Sequence, residues 1–290
     1  MRPLLLICAL TLPLLLTAGG PWPVPKGKAY LKLSEWWLTY DRHYTDAGLT
    51  DPNVTTGVYN TFLYAEYGVT SRLTAIANAN LFGRNIVNEL ESATTGETLL
   101  AGDALNNLGD IDLALKYALT KPGTAWAVSA TMLFGLPTGQ STGGMLNNLQ
   151  TGDGEFNQLA RLDAGRGFQI SESVSAYASA YAGFNNRTQG FSEELRVGAE
   201  GGLGLANSRL WLIGRLDVLE SLKNGETAST STNTTGIFAN NAEFISLGAE
   251  LNYYVAERVG LSVGVAGALR GEIIAAAPSY SVGVFVDLTR

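Results

Sequence analysis

From Leu195 to the end of the chain, apolar and polar positions alternate with a period of two. Leu195, Val197, Ala199, Leu203 and Leu205 share one face, opposed by Glu194, Arg196, Gly198, Glu200 and Gly202. The next stretch sets Leu210, Leu212, Leu216 and Val218 against Arg209, Arg215 and Asp217. Val259, Leu261, Val263, Val265 and Leu269 then oppose Gly260, Ser262, Gly264 and Arg270, and Tyr280 to Leu288 repeat the pattern against Ser281, Gly283 and Asp287. A period of two is the mark of a strand whose two faces meet different surroundings. Twelve such stretches can be drawn, at about 29–40, 57–68, 73–85, 110–119, 124–135, 159–169, 174–184, 193–205, 209–220, 242–254, 259–270 and 279–289. The first is the least regular, because Leu31, Leu33 and Trp37 share parity with Glu35.

The connections alternate between short and long. Short turns fall at 69–72, 119–123, 170–173, 206–209 and 255–258. Long polar segments fall at 41–56, 86–109, 136–157, 185–192, 222–241 and 271–278. Strands of about ten residues cross a bilayer when tilted, and in lipid a sheet must close on itself because unpaired backbone groups are costly. The reading is all-β: a closed antiparallel up-and-down transmembrane β-barrel of about twelve strands, with the short turns in the periplasm. A soluble sandwich also alternates, but it does not explain the strand length or the regular asymmetry of the connections. Tyr67, Tyr117, Tyr253 and Trp126 flank short turns on the expected outer face and suit an interfacial aromatic girdle.

Composition agrees with a lipid-facing surface. Apolar residues make up 46% of the 290 residues, charged residues only 16%, and there are 34 glycines. Residues 1–19 carry Arg2, an apolar run from Leu4 to Leu16 and small residues before a cut, which reads as a secretory signal peptide. Residues 20–290 then form a single outer-membrane barrel domain without cysteine, since Cys8 lies in the leader. The mature chain would hold 18 Lys and Arg against 26 Asp and Glu, which argues against nucleic acid as a partner. Its partners would be outer-membrane lipid of a Gram-negative bacterium and small-molecule solutes. The Pro-rich start "PWPVPKGK" cannot join a strand ladder and is a periplasmic lead-in or a short plug in the lower mouth.

The segment "VSATMLFGLPTGQSTGG", a strand running into Gly135-Leu136-Pro137-Thr138-Gly139, resembles a recurring element of outer-membrane proteins of the phenol-degradation MetA-pathway family. "YGVTSRL" is similar to that family's tight turn. The resemblance implies an outer-membrane channel or transporter for small molecules, often aromatic or otherwise apolar, and supplies no site residues.

Little in the sequence suggests chemistry. "GAEGGLG" (Gly198 to Gly204) sits inside an alternating strand rather than between a strand and a helix, so its glycines read as relief of crowding in the barrel. The single histidine, His43, has no recognisable nucleophile beside it. No metal or cofactor set is expected. The inner face is the candidate site, with lumen-lining Glu66, Arg84, Asp112, Lys116, Arg161, Asp163, Glu194, Arg196, Glu200, Arg209, Trp211, Arg215, Asp217, Glu250 and Arg270. Acids and bases nearly balance there, either bridging the lumen in pairs or ringing a hydrated pore. Inward-parity aromatics Phe62, Tyr64, Phe244, Tyr254 and Phe285 could offer an apolar solute a sliding surface. The function expected is passive uptake of small molecules, not catalysis. The alternatives are a structural or adhesion barrel with a plugged lumen and a barrel hydrolase built on His43.

Overall fold

The computed structural model describes residues 20–226 and 238–290. The signal-peptide reading of residues 1–19, and most of the tract "ETASTSTNTTG" from Glu226, lie outside the described residues. Twelve barrel strands run β1 (Ala29–Tyr44), β2 (Thr50–Gly68), β3 (Leu73–Val87), β4 (Ile111–Ala118), β5 (Ala127–Leu136) and β6 (Asn157–Ser171). They continue as β7 (Val174–Asn186), β8 (Glu194–Leu205), β9 (Leu210–Ser221), β10 (Glu243–Tyr254), β11 (Val259–Glu272) and β12 (Ser279–Asp287). Each pairs antiparallel with its neighbours, and β1 pairs with both β2 and β12, so the sheet is closed. No helix forms among the described residues. This is a closed twelve-stranded transmembrane β-barrel.

The two-faced pattern is expressed as expected. Leu115, Leu162, Val197, Leu212, Leu247, Leu261, Val263 and Val284 are exposed on the outside, while Lys116, Asp163, Trp211, Ser262 and Phe285 on the same strands are buried. Tyr67, Tyr117, Tyr253 and Trp126 are exposed beside the short turns. A charge on the lipid side is expensive and one in a wet lumen is not. Val263→Arg is therefore expected to destabilise the barrel by about 2–4 kcal/mol. Ser281→Arg, aimed into the internal cavity described below, crowds the small residues there but meets Glu200 and Glu250 rather than hydrocarbon, and is expected to cost clearly less. Unfolding in lipid vesicles compares the two, and equal damage would contradict the assignment of faces.

The first long segment departs from the sequence expectation. β1 and β2 run on past the apolar belt, leaving only 45–49 as the connection, so most of 41–56 is strand rather than loop. Beyond the membrane both faces of a hairpin can be hydrated, so polarity there does not forbid a strand. Segment 86–109 likewise contains a small ribbon (Leu90–Glu91 with Thr98–Leu100) and a strand, Asp103–Asn107, paired to the upper end of β3.

Candidate functional site

The short-turn end of the lumen is filled by rings. Tyr30, Tyr177, Trp211, Ile213, Tyr254 and Phe285, from five strands, form a buried cluster joined by Trp22 and Tyr64. Tyr254 meets Phe285 edge-on at 4.9 Å, and Tyr177 lies 5.7 Å from Trp211. The glycines of "GAEGGLG" make room for this wall. A Cβ on Gly202 would sit 2.1 Å from the Tyr177 ring, and one on Gly198 2.3 Å from that of Tyr181. From below, Arg290 lays its guanidinium 3.5 Å from the Tyr254 ring centroid, and the Tyr254 hydroxyl donates to Asp287 at 2.7 Å.

The Pro-rich N-terminal segment enters this floor. Gly27 N–H donates to the Gly68 carbonyl at 2.8 Å, Val24 N–H to Thr74 Oγ1 at 2.9 Å, and Trp22 packs edge-on against Tyr177. Gly68 has to be glycine, because a Cβ there would lie 2.1 Å from the Pro25 carbonyl oxygen. At the inner end, Lys116 Nζ donates to the Gly20 carbonyl at 3.1 Å. Lys116 and Glu66 are each 1% exposed and pair at 3.5 Å, while the Tyr64 hydroxyl donates to Glu66. Of the two readings of "PWPVPKGK", the geometry is that of a plug.

Above the floor is a cavity of about 350 Å³. Aromatic residues Trp36, Phe62, Tyr64 and Phe285 line one part of it, and Lys32, Glu200, Arg215 and Glu250 another. The charges are linked in a chain: Lys32 to Glu250 at 3.1 Å, Glu250 to Arg215 at 2.9 Å, and Arg215 to Glu200 at 2.6 Å. Glu200 also accepts from the Tyr177 hydroxyl. The Lys32–Glu250 bridge passes over β11 and β12, whose inward residues there, Gly264, Ser281 and Gly283, are small. Higher up, Arg161 pairs with Asp163 at 2.9 Å and lies 4.7 Å from the Tyr181 ring, whose hydroxyl donates to Asp217. Arg196 pairs with Glu194 at 2.7 Å, and Asp112 points inward from β4.

Three of the arginines expected in the lumen are elsewhere. One extra residue, Leu81, bulges from β3, and every side chain above it changes face. Gly83, Asn85 and Val87 become the buried set, and Arg84 turns outward, exposed, bonding Asn106 Oδ1 at 3.2 Å. Leu269 does the same in β11, sending Arg270 outward to Glu220 at 2.9 Å. Arg209 belongs to a turn rather than a strand, is exposed, and stacks toward the outer-face ring of Tyr253.

The long-loop end is also occupied. Segment 137–156 folds across the mouth, with Leu149 and Thr151 almost fully buried and a Thr151 methyl close to inward-facing Gly83. Asp110 anchors it by accepting from Gly139 N–H at 2.8 Å and Asp153 N–H at 3.1 Å. Burial pushes the Asp110 carboxyl up to about 6 despite those two bonds. Arg187 joins Asp153, Glu155 and Glu194. Burial raises the Asp153 and Glu155 carboxyls against the pull of that guanidinium. Leu38, Tyr40, Val58 and Val87 fill the neighbouring part of the upper lumen.

Sequence reasoning missed Lys32, Tyr177, Tyr181 and Arg187. Lys32 could have been found from the parity of Tyr30, Ser34 and Trp36, which all face inward with it. Arg187 could not, since its partners come together only when the loops fold.

No family model matches the chain, and no curated protein matches it. Among solved structures the chain is similar to an outer-membrane channel from Pseudomonas putida F1, with 15% identity over 93% of this chain and 99% of that one and a TM-score of 0.55. It is also similar to the NanC porin (12% identity, 89% and 100% covered, TM-score 0.48). A third likeness is to the β domain of the Bordetella autotransporter BrkA (13% identity, 90% and 99% covered, TM-score 0.48). The first of these likenesses supports the barrel fold.

Proposed function

We propose that this barrel sits in the outer membrane of a Gram-negative bacterium and serves as a narrow channel for passive uptake of small molecules, apolar or aromatic ones among them. The observation that carries the reading is the cavity of about 350 Å³, walled by rings on one side and by a self-neutralising charge chain on the other. Such a wall favours neutral solutes: ions meet paired charges, and a flat apolar face meets Trp36, Phe62 and Phe285. The resemblance of "VSATMLFGLPTGQSTGG" to the phenol-degradation family supports the same solute class. A second reading, a plugged structural barrel, is favoured by the filling of both mouths. Planar-bilayer recording and liposome swelling separate the two, because a folded protein with neither conductance nor solute flux would be structural.

The orientation is tested separately. Single cysteines at Ser71 or Glu257, in short turns, should resist a membrane-impermeant thiol reagent in intact cells, whereas one at exposed Thr94 should react. The leader's Cys8 would be gone from the mature chain. Labelling at 257 but not at 94 would invert the barrel.

A further inference from the structure

One carboxylate stands on the wrong side of the wall. Glu35 shares the outward face of β1 with exposed Leu31 and Leu33 and lies directly across from outward Val282 on β12. It is also across from Thr61 on β2, whose hydroxyl donates to it at 2.6 Å. Thr61 is six residues above the girdle residue Tyr67. At about 3.3 Å per residue and a tilt near 40°, that is roughly 15 Å into an apolar belt about 25 Å tall. An ionisable side chain facing hydrocarbon there is expensive, and one hydroxyl does not replace its hydration.

The surroundings add hydroxyl groups and small side chains to this face. Thr39 and Tyr59 add hydroxyls, 3.4 Å apart, on the same face, and the outward positions of lower β3 are Ala75, Ala77 and Ala79 rather than Leu or Val. Two strands from Glu35, about 10 Å around the wall, the Leu81 bulge turns Arg84 outward as well. Its long stem lets the guanidinium lean toward the belt. A face with an acid at one edge and a base at the other is self-complementary. A two-fold axis along the membrane normal, passing near β2, sets the acidic edge of one copy against the basic edge of the other and keeps both at their own heights.

We propose that the outer face of β1–β3 is the contact surface for a second copy of this chain, with Glu35 of each copy buried in the contact and answered by Arg84 of the facing copy. Small side chains on β3 then serve close approach of the two walls. The exposed polar groups of this face acquire partners, and the belt elsewhere is left to lipid.

Full-length protein bearing a single cysteine at Leu63, outward on β2 near the proposed axis, should form a disulfide-linked dimer in native membranes. A cysteine at Val263, three strands from β2 and a quarter of the way around the barrel, should not. Native mass spectrometry of the wild type in mild detergent should show two copies. Glu35→Arg should give one copy, and Glu35→Arg combined with Arg84→Glu should restore two. Glu35→Leu guards against misfolding, because it suits a lipid-facing monomer and should still lose the dimer. A wild type of one copy without cross-linking at 63, equal cross-linking at 63 and 263, or a dimer untouched by Glu35→Leu would each overturn the proposal.

Discussion

Replacing both Trp22 and Val24 by glycine is expected to raise single-channel conductance several-fold while leaving the barrel folded. The segment from Gly20 to Gly27 is held in the lower lumen by few groups: the Trp22 ring on Tyr177, the buried Val24 side chain, Lys116 donating to the Gly20 carbonyl, the Val24 amide donating to Thr74 Oγ1, and the Gly27 amide donating to the Gly68 carbonyl. Burying a side chain the size of Val contributes about 1.5–3 kcal/mol, so losing two such anchors removes most of the apolar hold. The prolines at 21, 23 and 25 keep the segment extended and unable to pair with the wall, so once released it has no second docking mode in the ladder. The closed hydrogen-bonded sheet does not include these residues and should survive. Lys116→Met should act in the same direction by freeing the Gly20 carbonyl. Unchanged conductance in a variant shown to be folded would mean that the segment does not stand in the path.

How far the sequence could be read follows from what alternation encodes. Period two reports which face of a strand each side chain takes, and it did so correctly wherever the ladder is unbroken, as along β8, β9 and β12. It cannot announce a bulge, and a single inserted residue reverses every assignment beyond it. Arg84 and Arg270 face outward, against their parity, for that one reason. The adjacent outward pair Leu81 and Phe82 is the trace such an insertion leaves. β1 reads as irregular in sequence because Glu35 interrupts its outward apolar set, yet its inward set of Tyr30, Lys32, Ser34 and Trp36 is intact.

Parity also stops short of partners. Lys32 and Glu250 are 218 residues apart and meet only because β11 and β12 present small side chains between them. Whether inward charges ring an open pore or bridge it depends on that kind of cross-wall geometry. The same holds for the N-terminal segment, where proline excludes a strand but does not say whether the chain hangs below the mouth or enters it.

Arg187→Met is expected to cost about 3–5 kcal/mol of stability, because removing the cation of a buried ion cluster strands Asp153 and Glu155, while Glu194 keeps Arg196. The guanidinium side chain is 6% exposed and meets Glu155 at 2.6 Å, Glu194 at 2.8 Å and Asp153 at 3.2 Å, with the Phe191 ring 4.4 Å away. At that burial solvent does little to screen the loss. Glu155 keeps only the Thr188 amide at 2.9 Å, and Asp153 is left near Asp110, already a buried carboxyl. The damage should appear first in segment 137–156, as faster protease cleavage and amide exchange, and then in a lowered unfolding midpoint. It should shrink as the pH falls, since protonating Asp153 and Glu155 removes the stranded charges. Arg187→Lys should recover only part of the loss, because one ammonium cannot match three carboxylates from a planar fork. If Arg187→Met unfolds like the parent and its 137–156 segment stays protected, the cluster does not hold the outer mouth and the Asp110 anchors alone suffice.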